Sequence, residues 1–324
     1  LLAHPEGAWT HLTRDAFGKP TRIRRSDSAS PTGGTVAVNR DYVYDAYQQL
    51  CKSIEPETAS TVLDYDGAGN VTWSASGQAL PSTSACDRAS VAAGHKASRT
   101  WDGRNRLTTL SFPDGNGSQA WTYTPDGLPA TITTWNDGGA SSLVNGYSYN
   151  RRRLPTGETQ QQTGGPATFT LGYGYDANGH LSLQLYPDGQ TVAYTPNALG
   201  QPTQAGSYAT GVQYFPNGAM KQFTYGNGLT HTLTQNARQL PLRSVDSGDV
   251  LDLTWSYDAN GNVAAVSDGT TAGRQTRSMG YDGLDRLLTT TSPMYPGGAT
   301  YAYDVLDNLT RVSVAGRDHR YQYD

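Results

Sequence analysis

The chain has 324 residues, a formal net charge of -4 and a pI near 5.8, and its arginines are mostly scattered, which argues against a nucleic-acid groove. No run approaches the ~20 apolar residues of a membrane-spanning helix, and the N-terminus has no basic-plus-apolar leader pattern. Leu, Ile, Val and Phe make up only about 16% of the residues, a share that alone leans towards disorder, but the small net charge, 21 Tyr and 6 Trp exclude that reading.

Along the chain one phrase recurs, aromatic-x-Tyr-Asp-x-x-Gly-x-Leu. Counted at its acidic or amide residue, it is anchored at Asp15, Asp45, Asp66, Asp102, Asp126, Asn150, Asp176, Asn197, Asn217, Asn236, Asp258, Asp282, Asp304 and Asp324. The mean step is about 24 residues, a period that signals a stacked array rather than one compact core. The residues taken to build the repeat are Tyr44 and Asp45; Tyr65, Asp66 and Gly69; Trp101 and Asp102; Tyr175, Asp176 and Gly179; Tyr257, Asp258 and Gly261; Tyr281 and Asp282; Tyr303 and Asp304.

Asp or Asn followed three residues later by Gly marks a type I turn, in which the short side chain accepts a backbone N–H and Gly takes a positive φ. The flanks alternate as strands do: Phe169, Leu171, Tyr173 and Tyr175 fall on one face, and Leu251, Leu253, Trp255 and Tyr257 repeat the pattern. A second turn follows many anchors, as in Phe112-Pro113-Asp114-Gly115, Tyr186-Pro187-Asp188-Gly189, Tyr225-Gly226-Asn227-Gly228 and Tyr295-Pro296-Gly297-Gly298. Each unit is then two strands and two tight turns. The expected fold is all-β, an antiparallel meander of roughly 26 strands coiling as one strip, with cross-strand aromatic pairs holding neighbouring units. A β-propeller needs nearly twice this period per blade. One domain, 1–324, is expected, with an insertion at about 74–98 and a smaller one around 26–34.

The candidate chemistry is sparse. Arg22, Arg24 and Arg25 and the run Arg151-Arg152-Arg153 are the only basic concentrations, and they read as turn or strand faces, with a phosphate or partner site as the alternative. Asp258-x-Asn260-x-Asn262 copies the opening of a calcium loop, but position twelve is Gly269, so it reads as a turn. The six His residues never share ligand spacing with each other or with Cys, and no metal or cofactor is expected. Glycosidase chemistry needs two opposed carboxylates; Glu6, Glu55, Glu57 and Glu158 are the only Glu residues and the Asp residues belong to turns, so the chain reads as non-enzymatic. Cys51 and Cys86 are the only cysteines. Secretion would permit a disulfide tying the insertion to the strip, whereas assembly in the cytosol would favour free thiols.

These Tyr-Asp-x-x-Gly-x-Leu units, punctuated by Tyr-Pro-Asp-Gly turns over essentially the whole chain, resemble the YD repeats of Rhs proteins, shared with the C component of insecticidal toxin complexes, wall-associated protein A and the teneurins. Asp15-Ala16-Phe17-Gly18-Lys19-Pro20 and Asn197-Ala198-Leu199-Gly200-Gln201-Pro202 are most similar to the bacterial Rhs branch. The resemblance implies a β-strip spiralling into a hollow shell around a C-terminal toxin domain, secreted from a bacterium. The partners it implies are the remainder of the same polypeptide and that enclosed toxin, with neither nucleic acid nor a membrane span involved. The family's Asp-Pro core-terminal segment and a toxin-like domain are not found in this sequence, so self-cleavage and toxicity transfer to no residue here. Beginning at Leu1 without Met and stopping within a further copy of the phrase, the sequence reads as part of a longer polypeptide. A second reading is a binding module whose exposed Tyr and Trp rows stack on cell-surface carbohydrate; the face the tyrosines occupy discriminates the two.

Overall fold

The computed structural model describes residues 1–4, 7–165, 168–304 and 306–323; Glu6 and Asp324 lie outside the described residues. Strand makes up 54% of the chain and helix 3%, the latter as three short 3-10 turns. Among the described residues 27 strands, numbered β1 to β27 in chain order, pair antiparallel in sequence order within two sheets. One sheet runs from β1 (Leu2–Ala3) to β16 (Thr191–Ala193), the other from β17 (Ala209–Tyr214) to β27 (Arg317–Arg320). Neither sheet closes on itself.

The break between the sheets has a local cause. At Asn197 the residue before the anchor is Pro196, not Tyr; it cannot donate to a ladder, and the bridges Pro196–Pro202 and Ala205–Ala209 stand where strands pair in the other repeats. Backbone bonds from Gly206 N to Ala193 O, from Thr203 N to Tyr194 O and from Val212 N to Thr203 O keep the strip continuous.

Each repeat carries a bulge where the anchor turn meets its strands. In β4 (Ala37–Tyr44) and β5 (Leu50–Glu55), Val43 pairs with Lys52 and Tyr44 with Leu50, leaving Cys51 as the extra residue. The same slip leaves Ser182 between β14 (Thr168–Tyr175) and β15 (Leu181–Leu185), and Ala264 between β21 (Leu251–Tyr257) and β22 (Val263–Asp268).

Four expectations are corrected. Asp126 and Asn217 are not anchors: Pro125 and Pro216 occupy the second turn position, which suits their fixed φ, so the turns start at Thr124 and Phe215, as Gly127 N to Thr124 O and Gly218 N to Phe215 O show. The turn read at 295–298 lies at 293–294, with Ser292 paired to Tyr295; Pro293 seeds it and Gly297-Gly298, both at positive φ, fall within β25 (Tyr295–Tyr303). The insertion is narrower than 74–98, because β7 (Val71–Gln78) and β8 (Ala97–Trp101) pair through their backbones whatever their Ser and Ala content; it spans 79–96. Finally, rings do not pack as a Tyr ladder. Phe223 meets Tyr225 and His231, but the repeat tyrosines engage their neighbours through the hydroxyl.

A one-layer strip has no second sheet to bury against, so the core is thin. The buried apolar residues are small and spread along the chain, among them Val43, Val62, Ala75, Val192, Leu253, Val266 and Ala299, while the tyrosines named above are half-buried.

Candidate functional site

The repeat residues form one device, copied along an edge of the strip. In each anchor turn Oδ1 accepts two backbone N–H groups: Asp45 from Tyr47 and Gln49, both within 3.0 Å, Asp66 from Ala68 and Asn70, Asp102 from Arg104 and Arg106, Asp176 from Asn178 and His180, Asp282 from Leu284 and Arg286, Asp304 from Leu306 and Asn308. Asp258 accepts from Gly261 and Asn262. In six of these turns Oδ2 takes the side chain four residues on, Asn70, Arg106, His180, Asn262, Arg286 or Asn308. Donors thus occupy both oxygens of Asp258, the first position of the calcium-like stretch, and among the described residues no group of His, Cys, Asp or Glu could hold a metal.

These bonds favour the ionised carboxylate. The Arg106 guanidinium pulls Asp102 from 3.8 down to about 2; the Asn70 side chain lowers Asp66, and the His180 backbone N–H lowers Asp176.

The residue three after the anchor has positive φ in every such turn, +86° at Gly69, +93° at Gly179 and +100° at Gly261. Glycine is not obligatory there: Gln48, Asn105, Arg153, Gln239, Asp285 and Asp307 hold the same place at φ between 57° and 70°. All six are polar side chains able to hydrogen-bond, and none is β-branched.

The aromatic residue before the anchor locks one repeat to the preceding one. Its donor reaches the backbone carbonyl of the first strand residue after the previous anchor turn: Tyr44 to Pro20, Tyr65 to Leu50, Trp101 to Val71, Tyr175 to Pro155, Tyr257 to Pro241, Tyr281 to Val263 and Tyr303 to Leu287, at 2.6–3.1 Å. That is why Tyr and Trp serve there, and why Phe would not. Basic residues make a further tie between turns: Arg152 donates to the carbonyls of Ala177 and Asn178, Arg238 to Asp258 O, Arg286 to Asp304 O and Lys19 to Gln48 O. Lys19, Arg106 and Arg286 also lie over the rings of Tyr44, Tyr123 and Tyr303.

Two places depart from the repeat. At the first, the 79–96 segment lies on the strip: Cys86 is bonded to Cys51 with a Cα separation of 5.3 Å, and Asp87 meets Lys52 Nζ at 2.5 Å. The bulge places these neighbours, Cys51 and Lys52, both beneath the segment, and both are fully buried. Arg88 bonds the carboxylate of Asp45 at 2.9 Å, that of Asp64 at 3.1 Å and Leu63 O at 2.8 Å. Beneath it Val91 packs with Val62 and Ala75, flanked by Trp73 and Leu80. The Lys52–Asp87 and Arg88 ties were missed from sequence.

At the second, the strip meets itself. Arg25 of β3 (Pro20–Ser26) pairs with Asp307 at 2.6 Å and donates to Leu306 O at 3.3 Å, 281 residues away, while Arg286 holds the other Asp307 oxygen at 2.8 Å. The basic cluster is thereby spent within the molecule: Arg22 pairs with Asp41, and Arg24 donates to Gly33 O.

The RHS repeat family matches residues 175–213 and 257–293. No curated protein matches the sequence. Among solved structures, the chain is similar to the TcdB2-TccC3-Cdc42 complex (TM-score 0.61, 16% identity) and to a Photorhabdus luminescens Tc holotoxin pore (TM-score 0.60, 15% identity), each over 96% of this chain and 19% of the other. The chain therefore spans about a fifth of the length of those proteins, and the likeness shows a shared fold. Residues 175–213 and 257–293 are RHS repeats, and the same turn, bulge and hydroxyl lock recurs from Tyr44 to Tyr303, so the chain is built of RHS/YD-type repeats.

Proposed function

We propose that the chain is a non-catalytic wall segment of a hollow shell, built with the remainder of a longer RHS polypeptide around an enclosed C-terminal toxin domain and working outside the bacterium that exports it. The observation that carries this reading is a meander in sequence order, 16 strands in one sheet and 11 in the next, that coils until its start and end touch at Arg25 and Asp307. Such a strip is a surface, not a solid core. Its fold likeness to parts of Tc complexes five times as long supports the same view.

Sheet area sets how little this segment can enclose. At roughly 16 Å² per strand residue, about 175 strand residues tile roughly 2,800 Å², a sphere whose inner radius is roughly 10 Å once inward side chains are allowed for. A folded domain of ~100 residues already has a radius of gyration near ~13 Å. Small-angle scattering should therefore show an open coil. A closed particle with room for a folded domain would overturn the reading.

The carbohydrate reading needs exposed aromatic rows. All six Trp residues are at least half-buried, and the repeat tyrosines spend their hydroxyls on neighbouring backbone, which favours the wall. A defined glycan bound by the folded chain and lost in Tyr175→Ala without change in Tm would reverse this ranking.

A further inference from the structure

The Cys51–Cys86 bond serves no repeat; it fastens only the 79–96 segment, whose remaining ties, among them the ion pairs of Asp87 and Arg88, the bond from Ser60 to Leu80 O and the packing of Val91 on Val62 and Ala75, are all non-covalent. We propose that this segment is a redox-controlled flap, pinned to the sheet when the bond is oxidised and released when a dithiol reduces it.

Three observations carry this. The two sulfurs differ in access: Cys51 is fully buried in the sheet, whereas Cys86 is half-buried on the flap, so a thiolate reaches the Cys86 sulfur. Attack there forms a mixed disulfide and expels the Cys51 thiolate, which takes up a proton. The second thiol of the reagent then displaces Cys86 as a thiol and leaves as a cyclic disulfide, so two electrons and two protons pass to the protein. Next, the flap contributes nothing to strand pairing, since β7 and β8 pair directly at Trp73–Ser98 and Ser74–Ala97 on the sheet side of it. The ladder survives its departure. Lastly, the docked state keeps the Lys52 ammonium fully buried with Asp87 as its carboxylate partner, an arrangement whose desolvation offsets much of its attraction. Covalent tethering removes most of the open conformations with which this arrangement competes.

Opening exposes Lys52 and the patch of Val62 and Ala75. The flap would thus lie loose while the strip is made in a reducing compartment and fasten in an oxidising one.

Hydrogen exchange read by mass spectrometry on the intact chain, with and without dithiothreitol, tests this. On reduction, exchange across 86–95 should accelerate about 30-fold or more, the lower end of what a disulfide closing such a loop gives. Hairpins at 173–185 and 253–268 should not change. Cys86→Ser should reproduce the fast exchange without reductant. Unchanged exchange at 86–95 after reduction, acceleration spread over every hairpin, or two alkylatable thiols in protein equilibrated with oxidised glutathione would each overturn the proposal.

Discussion

Replacing Tyr175 by Phe deletes only the hydroxyl that donates to Pro155 O, and about 1 kcal/mol of stability should go with it. Tyr175→Ala also removes the half-buried ring and should cost about 3 kcal/mol, so urea melts of the two variants separate lock from packing. At the anchor three repeats earlier, the charge rather than the acceptor can be isolated. Asp102→Asn keeps an Oδ1 for Arg104 and Arg106, as Asn150 and Asn236 do, but loses the attraction to Arg106. Since the folded pKa of Asp102 is depressed, its stabilisation is complete above the unfolded value of 3.8 and is lost as pH falls through about 2. Between about pH 4 and 2 the parent should lose Tm faster than Asp102→Asn; parallel losses would remove Asp102 from the acid response. The Tyr-Asp phrase was legible in sequence because both its partners are local or periodic. The acceptor of each hydroxyl was not, because a backbone carbonyl can come from Pro20, Leu50 or Val71 alike and leaves no residue signature.

In a single hairpin, the left-handed position after the anchor decides how much a substitution costs. Gly261→Val should destabilise by about 1–3 kcal/mol, because a β-branched residue resists φ of +100°. Gly261→Asn should cost clearly less, since Asn105 holds the equivalent place and an added Cβ meets only the mobile end of Arg238, at 3.1 Å. Equal melting of Gly261→Val and the parent would contradict the turn geometry. Proline decides the other class of turn. Reading Asp126 and Asn217 as anchors failed because a sequence period does not reveal that Pro125 and Pro216 move the turn back by two residues. The flap's ion pairs were hidden for another reason: Lys52 and Asp87 are one charge pair among dozens, 35 residues apart, in a segment with no copy elsewhere in the strip.

Over the whole molecule, coiling rests on a seam of partly exposed charges. Arg25→Ala removes the pair with Asp307 and the bond to Leu306 O. Such pairs contribute about 0–1 kcal/mol, so Tm should hardly move, while small-angle scattering should show a larger radius of gyration as the ends part. Salt near 1 M should widen the parent in the same way and leave Arg25→Ala unchanged. An unaltered radius in both would mean that the sheet's own twist sets the coil. No sequence pattern announced this contact, since it depends on small rotations summed over the intervening repeats.

Strict sequence-order pairing also bears on how the chain acquires its shape. Apart from β17, which opens the second sheet, each strand finds its partner in the strand just made, so loop closure is short at each step, and an all-β protein escapes the slow search that distant pairings impose. Folding can advance from one end, hairpin upon hairpin, as the polypeptide emerges. Only the meeting of Arg25 with Asp307 must wait for nearly the entire length, which places the closing of this seam last in the order of events.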